Sequence, residues 1–298
     1  MHQTLLLRSP AGPAAPLGPL TVFLATARLD ITEAFRARWF HFYALVFCGL
    51  VGVLLGFGLT ESRVMGFQGL SRTLVTYTQL AMAILPIFVL ISTVRTIAGD
   101  REAGVYEYML ALPIPLSVWY AGRFAGRFAG RFVVSVLPVV LALVIAALWG
   151  VANGVGVPWR HLALDIGLLV VLIWCFLGIS FLISTLTRSA DAAQTVAFVV
   201  WIVLVAALDL VLLGLLIRKQ IPAEAVVGIA LINPLQVFRT GSMLLFDPQL
   251  VLLGPAAWTL FDIFGERGFL IWAFVYPLLL GLLTASLGAI IFRRSDLS

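Results

Sequence analysis

Six long runs of apolar, nearly uncharged residues constrain what this chain can fold into more than any other feature. They are Phe40 to Leu59, Leu74 to Val94, Phe132 to Trp149, Leu162 to Leu186, Ala192 to Leu216 and Phe269 to Phe292. Each comes close to the roughly 20 residues that an α-helix needs to cross a bilayer. Backbone inside lipid has to satisfy its own hydrogen bonds, so a run of this length reads as a helix. Composition agrees, with 62% hydrophobic residues, 11% charged residues and a mean hydropathy of +1.09, beyond the roughly 45–50% apolar content of soluble domains. An all-α membrane protein with six transmembrane helices follows.

The basic residues orient those helices. Arg8, Arg28, Arg36 and Arg38 precede the first run, Arg95, Arg101, Arg123, Arg127 and Arg131 follow the second, Arg188 follows the fourth, and Arg293 and Arg294 close the sixth. The short connections on the opposite side hold only Arg63, Arg72 and Arg160, and the longer fifth connection adds Arg218, Lys219, Arg239 and Arg267. Short cytoplasmic loops collect arginine and lysine, so both termini are expected in the cytoplasm, with the protein multi-pass in the cytoplasmic membrane. The same distribution accounts for the pI of about 9.7 without a nucleic-acid partner.

Residues 1–298 read as a single transmembrane domain. The first 21 residues, with Pro10, Pro13, Pro16 and Pro19, read as a disordered tail, and Leu5-Leu6-Leu7 is too short for the core of a signal peptide. Residues 22–40 read as an amphipathic interfacial helix on the cytoplasmic membrane surface. Leu24, Ala27, Ile31, Ala34 and Phe35 form its stripe, while Arg28, Asp30, Glu33 and Arg36 lie off it. Residues 95–131 form a charged cytoplasmic connection, in which Asp100-Arg101-Glu102 is expected to begin a short helix ended by Pro113 and Pro115. Val105, Tyr108, Met109 and Leu112 would form its stripe, with Glu107 facing away.

Next comes a repeat, Gly122-Arg123-Phe124-Ala125, Gly126-Arg127-Phe128-Ala129, Gly130-Arg131-Phe132, whose period of four stacks three arginines on nearly one helix face. Like charges so placed need compensation. Anionic lipid headgroups are the expected source, with a partner subunit as the alternative. Residues 217–268 read as an external connection of short apolar helices broken by Pro234, Pro248 and Pro255.

Chemistry within the chain is sparse. The only lysine, Lys219, sits in Ile-Arg-Lys-Gln, so no phosphate-cradling G-x-x-x-x-G-K-[ST] loop exists and ATP-driven work has to belong to another chain. His2, His41 and His161 are isolated and the five methionines are scattered, which leaves no soft-metal pathway. Cys48 and Cys175 read as small core residues. No nucleophile elbow or zinc-protease motif occurs. Two carboxylates stand at membrane depth, Asp165 in the fourth run and Asp209 in the fifth. Both lie shallow enough to reach water or headgroups by this topology, and together they suggest an external vestibule that handles substrate.

Taken together, the amphipathic N-terminal helix, six spans, charged connection after the second span and broken apolar region before the sixth resemble the permease subunits of type-2 ABC exporters. The most specific local piece is Ile97 to Pro113, similar to that family's acidic-x-acidic-x-Gly-Thr coupling segment, with Val105 where Thr is usual and Asp100 where Glu is usual. Within the family, Trp201 to Leu213, Asn233-Pro234 and Ile291-Phe292-Arg293-Arg294 look like the subgroup that serves copper-centre assembly of nitrous oxide reductase.

This resemblance implies a homodimer, two cytoplasmic P-loop ATPase subunits that bind ATP and Mg, and, for the narrower subgroup, a periplasmic accessory protein. It also implies that Asp100, Arg101, Glu102, Gly104, Glu107 and Tyr108 contact the ATPase. The chain itself is then a permease and not an enzyme, holds no cofactor or metal, and touches membrane lipid. The alternative is a secondary transporter driven by an ion gradient. Such a protein normally shows duplicated halves with paired interrupted helices, and no such duplication is visible in this sequence.

Overall fold

The computed structural model describes residues 18–36, 42, 45–50, 52–53, 67–105, 115–152, 154, 156–207, 210, 214, 228–246 and 256–294. Every element among them is helical. Four helical stretches are long and apolar enough to cross a membrane: Thr76–Glu102, Leu116–Ala152, Trp159–Leu186 and Arg267–Arg294. They correspond to the second, third, fourth and sixth runs of the sequence. Most of the first run, and most of the fifth beyond residue 207, lie outside the described residues. The near part of the fifth run forms the shorter apolar helix Ala190–Ala206.

Helix α1 spans Pro19–Arg36 and so begins inside the stretch expected to be a tail. Proline suits the first helical position, where its missing N–H costs nothing. Helix α2, Phe67–Glu102, continues through Pro86 and past Val94. Asp100-Arg101-Glu102 therefore ends a long helix and does not begin a short one. The stop is Gly104, whose φ of 71° is the left-handed turn that glycine adopts after a helix end.

Helix α3, Leu116–Arg131, runs through a π turn at Phe132–Val136 into α4, Leu137–Ala152. The Leu137 N–H bonds back to the Phe132 carbonyl, a widened turn at the point where Pro138 has no N–H to give. These 37 residues make a rod of about 55 Å, against a hydrocarbon core of about 30 Å. The arginine-bearing third thus extends beyond the lipid core. Much of the connection expected at 95–131 is accordingly rigid helix, supplied by the ends of α2 and α3.

Helix α5, Trp159–Leu186, is the centre of the packing. It lies against α2, against α7, Pro234–Phe246, and against α8, Ala256–Arg294, which kinks at Gly265. Helix α6, Ala190–Ile202, packs on α2. Phe176, Leu177 and Phe181 of α5 are fully buried, together with Leu85, Val89 and Leu90 of α2 and Phe238 of α7.

Pro234 was expected to break the external connection, but it starts α7. Asn233 caps that helix, its Oδ1 accepting from the Leu235 N–H at 3.0 Å, while its Nδ2 donates to the Leu204 carbonyl at 2.7 Å. Few residues of the span Arg267–Arg294 are buried within the chain, and this span presents most of its leucines and isoleucines outward.

Candidate functional site

The charged side chains gather where α1, the end of α2, α3 and the turn between α5 and α6 meet. Glycine makes the first contact possible. A Cβ on Gly126 would stand 2.7 Å from the Ala27 carbonyl oxygen and Cα, and one on Gly122 would stand 2.9 Å from the Phe23 carbonyl oxygen. The glycines of the four-residue repeat therefore let the α1 backbone lie directly on α3, in the small-xxx-small manner of close helix pairs.

That approach puts Asp30 of α1 among the arginines. Arg123 Nη1 lies 2.9 Å from Asp30 Oδ1, Arg127 Nε lies 3.1 Å from the same oxygen, and Arg127 Nη2 reaches Glu33 Oε2 at 3.2 Å. Asp30 is fully buried. Burial pushes its carboxyl above the ordinary Asp range, while Arg127 and Arg123 pull the other way, so this charge is tolerable only with both guanidinium groups in place. Arg123 also stacks over Trp119 with its Cζ 5.2 Å from the ring centroid and pairs through Nη2 with Asp100 at the end of α2. Arg131 donates to the Ser92 carbonyl at 2.9 Å and stands over Phe88. The repeat therefore faces protein and not headgroups, which corrects the lipid-anchor expectation. Its compensation comes from Asp30, Glu33, Asp100 and a helix carbonyl.

Asp100-Arg101-Glu102 reaches three different elements. Asp100 holds Arg123. Arg101 Nη1 donates to the carbonyls of Thr187, at 3.2 Å, and Thr185, at 3.5 Å, at the end of α5. Glu102 Oε2 accepts the Ala190 N–H at 2.9 Å, in the first turn of α6. A cation thus sits on a helix C-terminus and an anion on a helix N-terminus, each matching the sign of the helix dipole. Ser184 adds a hydroxyl that accepts from the Ile97 and Ala98 N–H groups at 2.9 and 3.0 Å. Beyond this junction Gly104 and Val105 are exposed.

The other sequence candidates divide. Arg28 is exposed on α1, and Glu33 makes the outer pair with Arg127. Arg36 ends α1, with its side chain outside the described set. Glu107, Tyr108 and Asp209 lie outside the described residues. Asp165 is described and is 0% exposed, so it does not reach water or headgroups as its shallow depth suggested.

Asp30 was the residue that sequence reasoning misplaced, since it stood off the apolar stripe and read as a solvent-facing charge. The signal for it was present in the glycine spacing on α3, which marks a face that receives another helix. Among the described residues no cluster of three His, Cys, Asp or Glu could hold a metal ion. The junction joins α1, the end of α2, α3 and the turn between α5 and α6.

Comparison with known proteins places the chain in a family. The model of the ABC-2 family transporter protein matches residues 24–297. A protein of Stutzerimonas stutzeri described as "Probable ABC transporter permease protein NosY" is 27% identical over 217 residues, covering 72% of this chain and 78% of that protein. A protein of the same description from Pseudomonas aeruginosa is 25% identical over 237 residues, covering 76% and 84%.

Proposed function

The chain belongs to the ABC-2 family of transporter proteins, a multi-pass transmembrane subunit of an ABC transporter, and from that premise we propose how it is driven and what it serves. Two copies form the pathway, and two cytoplasmic P-loop ATPase subunits press on the segment that follows Gly104. The observation that carries this reading is the junction at Asp100-Arg101-Glu102. Displacement of the last turn of α2 would pull α3 through Asp100 and Arg123, α1 through Asp30, and the α5–α6 turn through Arg101 and Glu102. Closure of the ATPases would then tilt several helices together as a rigid body. Glu107 and Tyr108 would supply the direct docking contacts, and both termini would lie in the cytoplasm.

The finer assignment is to copper-centre maturation of nitrous oxide reductase. Support comes from the motifs at Trp201 to Leu213, Asn233-Pro234 and Ile291 to Arg294, together with relatives that carry the NosY name. A periplasmic accessory protein would complete that complex.

Purification of the tagged chain from its native membrane in mild detergent, followed by mass spectrometry, tests both levels. A stoichiometric P-loop ATPase is expected, with a periplasmic copper-assembly protein beside it. Recovery of the chain alone, under conditions that preserve other ABC complexes, would overturn the ATPase reading. Reversing the charge of Glu102, which holds the junction, together with that of Glu107, which would dock, should lower the yield of the ATPase complex while insertion persists, and an unchanged yield would refute coupling through this segment.

A further inference from the structure

Away from the junction, one fully buried carboxylate among the described residues has no ion-pair partner. Asp165 sits on α5, fully buried, and neither of its oxygens completes a hydrogen bond of normal geometry. None of the ion pairs among the described residues involves it. Ser242 of α7 is near enough to act on the Asp165 carboxyl, and Ser242 Oγ lies 3.1 Å from Thr78 Oγ1 of α2. Both hydroxyl residues are also 0% exposed. The surroundings are tightly packed: a Cβ on the neighbouring Gly241 would stand 3.2 Å from both Leu168 of α5 and Ala273 of α8. Three oxygen-bearing side chains from three helices therefore gather in a dehydrated place.

A desolvated carboxylate is costly unless something neutralises it. The chemistry at hand narrows what that is. All three side chains offer hard oxygen, with no thiolate, thioether or imidazole, which disfavours soft metals such as copper(I). One carboxylate supplies one negative charge, whereas Ca²⁺ gathers about 6–8 oxygens, usually with several carboxylates among them. Ser and Thr hydroxyls keep acceptor lone pairs while they bond to each other.

We propose that Asp165, Ser242 and Thr78 form a binding site for sodium at the meeting point of α2, α5 and α7. Occupancy would pin α7, the buried helix of the fifth connection, to the two spans beside it. The site rests on the burial and convergence of these three residues and is independent of the ATPase reading.

The test is the thermal unfolding of the purified full chain, with whatever subunits accompany it, in sodium chloride against choline chloride at equal ionic strength and fixed pH. Sodium at roughly tenfold above its Kd should raise the melting temperature by about 3–5 °C, saturably. Asp165→Asn should abolish that response, and Ser242→Ala and Thr78→Val should each move it to higher sodium. If the wild type does not distinguish sodium from choline, the proposal fails. It also fails if Asp165→Asn keeps the response, or if acidification in choline stabilises the wild type while sodium does nothing, since the carboxyl then simply holds a proton. Should Asp165→Asn not fold, an undiminished sodium response in Ser242→Ala would be enough to overturn it.

Discussion

Two helix crossings in this chain bring backbones into contact through glycine, yet different forces hold them. At the crossing of α5 and α8, a Cβ on Gly178 would lie 2.2 Å from the Gly281 carbonyl oxygen. The flanking contacts are apolar or donate to helix carbonyls, with Trp174 Nε1 on Leu278 O and Tyr120 Oη on Ala285 O, both at 3.1 Å. Lipid tails are as apolar as leucine, so no hydrophobic force drives such helices together and close van der Waals approach has to do it.

The crossing of α1 and α3 uses the same device at Gly122 and Gly126, but seals it with Asp30, Arg123, Arg127 and Glu33. It also lies on the part of the 37-residue rod that extends past the lipid core, where charge can be compensated and addressed by a partner. The contrast separates a crossing fixed by shape from one whose strength depends on charge. The second is the one placed beside the proposed drive point.

The largest expected effect breaks the first crossing. Gly178→Leu drives a side chain into backbone that cannot yield, at a cost at or above the about 1–3 kcal/mol typical of overpacked cores. It should remove monodisperse protein from detergent extracts, as size-exclusion chromatography would read; normal recovery would mean the crossing is looser than 2.2 Å implies.

Asp30→Asn attacks the second crossing. It removes the buried anion that Arg123 and Arg127 share and leaves each with only its outer partner, Asp100 or Glu33, at a site where loss of a buried partner costs up to about 3–5 kcal/mol. Hydrogen exchange of the α1 amides should accelerate strongly while the α5 amides stay protected, and equal protection in both helices would show that glycine packing alone suffices.

A smaller effect sharpens the link between the charged crossing and the spans. Glu102→Gln removes the anion from the start of α6, worth about 0.3–1 kcal/mol at an exposed helix end. Exchange at the Ala190 amide should rise several-fold with little change in overall melting temperature. If Ala190 exchanges as before, the hydrogen bond and not the charge carries that contact.

Least of all is expected from Glu33→Gln. Glu33 is half-exposed in its pair with Arg127, and such pairs contribute about 0–1 kcal/mol and weaken with salt. Unfolding at low and high ionic strength should differ slightly less in the variant than in the wild type. A large loss of stability would place Glu33 in the buried network with Asp30.

Much of the architecture was legible in advance. The second, third, fourth and sixth runs correspond to helices long enough to span, because hydropathy over a window of about 20 residues is a local property that neighbours seldom overturn. Helix α1 was legible as a helix for the same reason, since a period of 3.6 marks a helix wherever it lies. Its attachment was not. Leu20 and Leu24 stay exposed, whereas Asp30, assigned to the polar side, is fully buried. A charge on one element reads as solvated until the element opposite is known. The same limit applies to Asp100-Arg101-Glu102, which carries the charge of a loop, yet Ser184 and the ends of α5 and α6 capture it as the last turn of α2.

Composition and short windows alone place this chain in a bilayer and make it helical, since each of these is a local property. Only the tertiary structure decided where the arginine repeat points, which residues the junction joins, and that Asp165 is buried while Ser242 meets Thr78. Periodicity assigns a residue to a face of its own helix, but what covers that face comes from elements far away in the chain. Residues 30, 100 and 123, like residues 78, 165 and 242, share no local pattern. Their meeting follows from helix packing that glycine permits and that buried charge requires.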